Sequence, residues 1–78
     1  MDFRIISEIT NIEIIAKGPS VKIRKYLNEQ FGRGRWQKMK GEAMIEWENG
    51  RIEYAEIHWF EAHGIGRKLT KRKRSIRK

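Results

Sequence analysis

Isoleucines crowd the first sixteen residues, in DFRII and NIEIIAK, with Thr10-Asn11 between the two runs. β-Branched content of this kind favours strands. Ile12–Ala16 reads as a strand, and Phe3–Ile9 as an extra strand or a short helix. The period then changes. Ile23, Leu27 and Phe31 recur every four residues, with Tyr26 beside them, and predict a helix within GPSVKIRKYLNEQFG. Gly18, Pro19 and Ser20 mark its start, Ser20 as a cap for free backbone N–H groups. Gly32 fits the position just past its end, where a left-handed residue is favoured. Lys22, Arg24 and Lys25 fall mostly off the apolar stripe.

The period changes again in EAMIEWENGRIEYAEIHWFE, which predicts a β-hairpin turning at Asn49-Gly50. A two-residue turn there pairs Trp47 with Ile52 and Ile45 with Tyr54. One face then carries Ala43, Ile45, Trp47, Ile52, Tyr54, Glu56, His58 and Phe60, and neither face is cleanly apolar. A bulge near Tyr54–Ala55 would join Ala55, Ile57 and Trp59 to the Ala43–Ile45–Trp47 face and turn Glu56, His58 and Phe60 outward. A domain this small needs one continuous core, so the bulged register is expected. AHGIG is the next turn. IGRKLTKRK is the last strand, with Ile65 and Leu69 as its apolar members, and RKRSIRK reads as a disordered tail. The order β–α–β–β–β predicts an α+β domain, one helix on a small antiparallel sheet. Residues 1–72 form the domain and 73–78 the basic tail.

Charge sharpens this picture. The 78 residues carry a net charge of +8, unevenly spread. Residues 20–41 hold seven basic and one acidic group; residues 42–61 hold one and six; residues 62–78 hold eight and none. Basic blocks flanking an acidic middle attract phosphates, with salt-sensitive binding. The plainer alternative is a solubilising face. There is no cysteine, so disulfide and thiolate chemistry is excluded. No segment is apolar enough for a membrane span, and MDFRIISEIT lacks the pattern of a signal peptide, so the expected location is cytoplasmic and no membrane partner is expected.

The candidate chemistry lies in two stretches. GRGRWQKMKG brackets Arg33, Arg35, Lys38, Lys40 and Trp36 with glycines, a plausible phosphate-and-base surface. For Trp36 the competing reading is a plug at the edge of the core. HWFEAHGIGRK places His58, Glu61, His63, Arg67 and Lys68 within eleven residues across one turn. Metal-free cleavage of RNA needs a base for the 2′-hydroxyl, an acid for the leaving 5′-oxygen and cations for the phosphorane. His58, Glu61 and His63 are the candidates for the proton work. Arg33, Arg35, Trp36, Lys38, Lys40, Arg67 and Lys68 are the candidates for holding nucleic acid. FGRGRWQK lacks the Gly-Lys-Ser/Thr ending of a P-loop, and no metal-ligand motif is visible; neither metal nor cofactor is expected.

KGPSVKIRKYL, GRGRWQKMKGEA and YAEIHWFEAHGIGRK together resemble a recurrent pattern of small uncharacterised bacterial proteins. That pattern is Lys-Gly, a basic helix, Gly-x-Trp-x-Lys-x-x-Gly, then Ala-Glu-x-His-Trp-aromatic-Glu. It is also similar to toxin-type nucleases of the barnase–EndoU–colicin–RelE class, over about residues 12–70. The resemblance implies a helix packed on an antiparallel sheet, RNA cleaved on the open sheet face without metal, and Trp36, Lys38, His58, Glu61 and Arg67 as site positions. The chain departs from the pattern at KLTKRKRSIRK, where a lysine-rich strand alternating with apolar residues is expected. The reading is a small basic RNA-directed protein of metal-independent, toxin-type ribonuclease character. Its rivals are a non-catalytic nucleic-acid-binding module and a protein-interaction subunit that uses the acidic hairpin. The expected partners are RNA or another nucleic acid, an acidic antitoxin or immunity protein, and a second copy of the chain.

Overall fold

The computed structural model describes residues 2–77. Five strands and one helix follow in the order β1 (Phe3–Ile5), β2 (Thr10–Lys17), α1 (Arg24–Phe31), β3 (Gln37–Trp47), β4 (Ile52–Ala62) and β5 (Gly66–Ser75). All strands belong to one antiparallel sheet. β3, β4 and β5 lie side by side, while β1 and β2 share the other edge of β3. The fold is α+β with one helix on a curled, half-barrel sheet. β1 and β5 come close enough across the curl for Phe3, Ile5 and Thr70 to line common crevices.

The hairpin obtains its clean faces without the expected bulge. Its loop has three residues, not two. Trp47 N–H donates to Arg51 O at 2.8 Å, and Gly50 N–H donates to Trp47 O at 2.9 Å. Gly50 alone takes a positive φ, +89°, as a tight turn closed by a left-handed glycine requires. Asn49 accepts the Arg51 N–H on its side-chain oxygen at 3.0 Å. The extra loop residue slips the register by one, so Ala43 faces Ala55, Gly41 faces Ile57 and Met39 faces Trp59. One slip at the turn re-sorts every side chain of a strand. The pairing then runs from Gln37–Glu61 to Glu46–Ile52 with no register shift at Tyr54–Ala55.

The inner, concave face holds Phe3, Met39, Ala43, Ile45, Ala55, Ile57 and Trp59, all buried, with Ile5, Ile9 and Trp47 packed against them. Phe3 meets Trp47 edge-on, with centroids 5.3 Å apart. Gly41 has to be glycine here. An added Cβ would stand 2.5 Å from an Ile9 methyl and 3.2 Å from the Trp59 ring.

The helix does not cover this face. Its stripe packs on the outer face, at the end where Ala62 and Phe60 emerge. Leu27 joins Val21, Trp36 and Ala62 in a second buried cluster flanked by Ala16, Phe31, Phe60 and Ile65. The reason is geometric: the curl of the sheet already closes the inner face, leaving the outer one for α1. The helix also begins later than expected. Gly18–Ser20 form a 3-10 turn with Pro19 inside it, and no side chain caps α1, so Ser20 is not its cap. Ile23 is left exposed at its first turn. On the free edge, Ile12, Ile14 and Ile15 of β2 are exposed as well.

The C-terminal segment expected to be disordered is largely strand. β5 runs to Ser75, and Ile76 N–H donates to Tyr54 O at 2.8 Å. Lys78, the last residue of that expected tail, lies outside the described residues. What fastens the strand is Glu53. The Ser75 hydroxyl donates to its carboxylate, Arg72 Nη2 lies 3.1 Å from Oε1, and the Trp47 indole donates to Oε2 at 2.7 Å. The Ser75 bond first, and the Arg72 guanidinium next, lower the Glu53 carboxyl from 4.5 to about 2. A depressed folded-state pKa contributes stability above the unfolded value, and that stability is lost as the folded pKa is approached. Unfolding midpoints in denaturant should therefore fall as pH drops from about 4.5 towards 2. Glu53→Gln should flatten that part of the profile. An unchanged slope in the variant would remove Glu53 as the fastening group.

Candidate nucleic-acid interface

Side chains on β4 alternate between the faces, so Ile57 and Trp59 point inward while His58 and Phe60 point outward. On the outer face, His58 faces Lys40 of β3 and Phe60 faces Lys38. Across the other edge of β4, Phe60 faces Lys68 and His58 faces Lys71. Between those two pairs β5 carries one residue more than β4, a bulge within Leu69–Thr70; a second register shift places Lys73 as an extra residue between Arg72 and Arg74. Leu69 takes φ +54°, a left-handed conformation that costs a leucine about 1–2 kcal/mol. Bulges re-aim side chains beside functional sites, and here Leu69, Thr70 and Lys73 line a groove. It has a volume of about 760 Å³, a floor of Lys38, His58 and Phe60, one wall of β5, and another of Phe31 from α1 and Ile23 just before it.

Five cations, Lys38, Arg67, Lys68, Lys71 and Lys73, line this groove. Two of them sit over aromatic rings. Lys38 Nζ is 5.8 Å from the Phe60 centroid, and Lys68 Nζ is 5.5 Å from that of Phe31. Acidic groups elsewhere on the strands are matched to other cations: Glu46 to Arg4, Glu13 to Lys40, Glu53 to Arg51 and Arg72, and Glu56 to Arg74. Among the described residues, no carboxylate forms an ion pair with any of the five groove cations.

His58 meets a different carboxylate from the expected one. Its Nε2 lies 2.7 Å from Glu56 Oε2, two residues earlier on the same face, and Arg74 Nη2 lies 3.0 Å from the other Glu56 oxygen. The hydrogen bond from His58 first, with help from Arg74, holds the Glu56 carboxyl below the usual carboxylate range. Glu61 is on the opposite face, where it accepts the Trp59 indole N–H at 2.6 Å. His63 is exposed in the β4–β5 turn. Glu61, His63 and Arg67 do share a crevice at the end of the sheet, but His58 is not part of it. The expected His58–Glu61–His63 constellation is thus replaced by a His58–Glu56 pair. An even spacing on a strand puts Glu56 and His58 on one face, and that signal was available in Glu56-Ile57-His58. A ring that donates Nε2–H to Glu56 leaves Nδ1 as the acceptor. That atom is buried and has no hydrogen-bond partner among the described residues.

The nucleic-acid candidates divide likewise. Lys38, Arg67 and Lys68 line the groove. Lys40 stands on the same face beside Glu13, 3.8 Å away. Arg33 and Arg35 are exposed on the loop between α1 and β3. Trp36 is fully buried and donates its indole N–H to Asn28 Oδ1 at 3.0 Å and Gly32 O at 3.2 Å, so it is the plug and offers no ring to a ligand. Phe31, Phe60, Lys71 and Lys73 are groove residues that the sequence reading did not single out; the β5 bulges that direct the last of these carry no sequence mark.

Among the described residues, no group of three or more His, Asp or Glu side chains converges as a metal site, and no helix is long and apolar enough to cross a membrane. Fold and site together define a small half-barrel domain with a cationic, aromatic-lined groove on its outer face. Comparison with protein-family models, curated proteins and solved structures found no match to this chain.

Proposed function

We propose that the protein binds RNA through the outer groove, with Lys38, Arg67, Lys68, Lys71 and Lys73 holding the phosphate backbone. The observation that carries this is their lack of compensation. Arg4, Lys40, Arg72 and Arg74 on the strands stand beside acids, while these five line one groove with no ion pair among the described residues. Clustered, uncompensated cations release counterions when they meet phosphates, which drives binding. The test is the affinity of a Lys68→Glu/Lys71→Glu double variant for single-stranded RNA, beside its thermal unfolding. Both side chains lie on the groove wall outside the two buried clusters, so the fold should persist while affinity falls at least about tenfold. Unchanged affinity would remove the groove as the binding surface.

Metal-independent cleavage is the sharper second reading, favoured by His58 on the groove floor and its carboxylate partner Glu56. Glu56 would orient the imidazole, and His58 would take the 2′-hydroxyl proton through Nδ1 as the 2′-oxygen attacks phosphorus. Lys38 or Lys71 would meet the phosphorane charge, and the P–O5′ bond would break with water protonating the leaving 5′-oxygen, giving a 2′,3′-cyclic phosphate. Because Nδ1 is shielded, this chemistry requires the groove to open around His58 when RNA enters. Incubation with total RNA in EDTA distinguishes the readings: fragments lost in His58→Ala support cleavage, and intact RNA leaves a binding module. A cleaving protein of this kind would need an acidic protein to cover its basic face.

A further inference from the structure

The two lysine–aromatic contacts say more about the ligand than charge alone. Phe60 on the groove floor and Phe31 on its helical wall each have one lysine ammonium over the ring, Lys38 and Lys68 respectively. Both phenyl rings are half-buried, anchored in the outer apolar cluster, and presented to the groove. Neither lysine is held by a carboxylate among the described residues. A lysine stem has four rotatable bonds, so its head can leave a ring without any backbone movement.

Resting on the RNA-binding reading above, we propose that Phe31 and Phe60 are stacking platforms for two unpaired bases, and that Lys68 and Lys38 cover them in the free protein. When a strand enters, each base takes the lysine's place over its ring, and the displaced ammonium turns to a flanking phosphate. The exchange keeps each ring covered and converts a cation–π contact into a charge-assisted bond to the ligand. It selects single strands, because in a duplex the base faces are stacked on one another and cannot reach a ring. Every base has such a face, so the site accepts any sequence.

The experiment compares three ligands at one low salt concentration: a short single-stranded RNA, the same RNA annealed into a duplex, and inorganic polyphosphate of matching charge. The single strand should bind at least about tenfold tighter than either of the others. Phe31→Leu should shrink that advantage and leave polyphosphate affinity unchanged. In NMR spectra of the unaltered protein, the side-chain methylene signals of Lys38 and Lys68, shifted by the rings beneath them, should move to ordinary positions with single-stranded RNA but not with polyphosphate. Equal affinity for RNA and polyphosphate, or preference for the duplex, would overturn the platforms while leaving the cationic groove intact. Absence of binding to all three would instead overturn the groove itself.

Discussion

Trp59→Ala is expected to lower the unfolding free energy by about 3–5 kcal/mol, the cost of deleting a large aromatic from a packed core. Trp59 is only 2 % exposed, belongs to the inner cluster with Met39, Ala43 and Ile57, and lies against Gly41, where an added side chain would clash. Its removal also leaves Glu61 without the indole N–H that it accepts. A domain of 78 residues has a total stability of about 4–12 kcal/mol, so this one change removes much of it. Denaturant unfolding of the variant measures the loss directly. A loss below about 1 kcal/mol would mean that the inner face is not the core of the fold.

The second large effect concerns binding. If the five groove cations each meet one phosphate, log affinity for single-stranded RNA should fall against log salt with a slope of about −3.5, and affinity should drop about 100-fold between 50 and 200 mM salt. Titrations at several salt concentrations give the slope. A slope near zero would show that the groove cations are not what holds the ligand.

Alternation made the central strand legible. Ala55, Ile57 and Trp59 form an apolar set with His58 between them, and they take opposite faces as their spacing dictates. The means by which they join Ala43 and Ile45 was not legible as a location, since a register slip satisfies the same pattern wherever it occurs. Asn49-Gly50 serves a three-residue loop as well as a two-residue one, and the slip sits there rather than at Tyr54–Ala55. The helix was visible from Ile23, Leu27 and Phe31, but the face it covers was not. That depends on the sheet curling closed over its inner side, a property of all the strands together. Trp36 could be read as ring or plug, and Asn28 and Gly32 fix it as the plug by accepting its N–H. Arg72, Arg74 and Ser75 looked like a solvated tail because their partners, Glu53 and Glu56, are about twenty residues away on a neighbouring strand.

The inner and outer apolar clusters have no residue in common. The protein therefore keeps two separate accounts of mutation. Changes at Phe3, Ile45, Ala55 or Trp59 fall on the folding of the half-barrel. Changes at Phe31, Phe60 or Ile65 fall on the layer that shapes the groove wall. Selection can thus alter what the groove accepts, by small replacements in the outer layer, while the inner layer stays under constraint. In a chain this short, such a division is a route by which descendants of one scaffold could come to recognise different ligands.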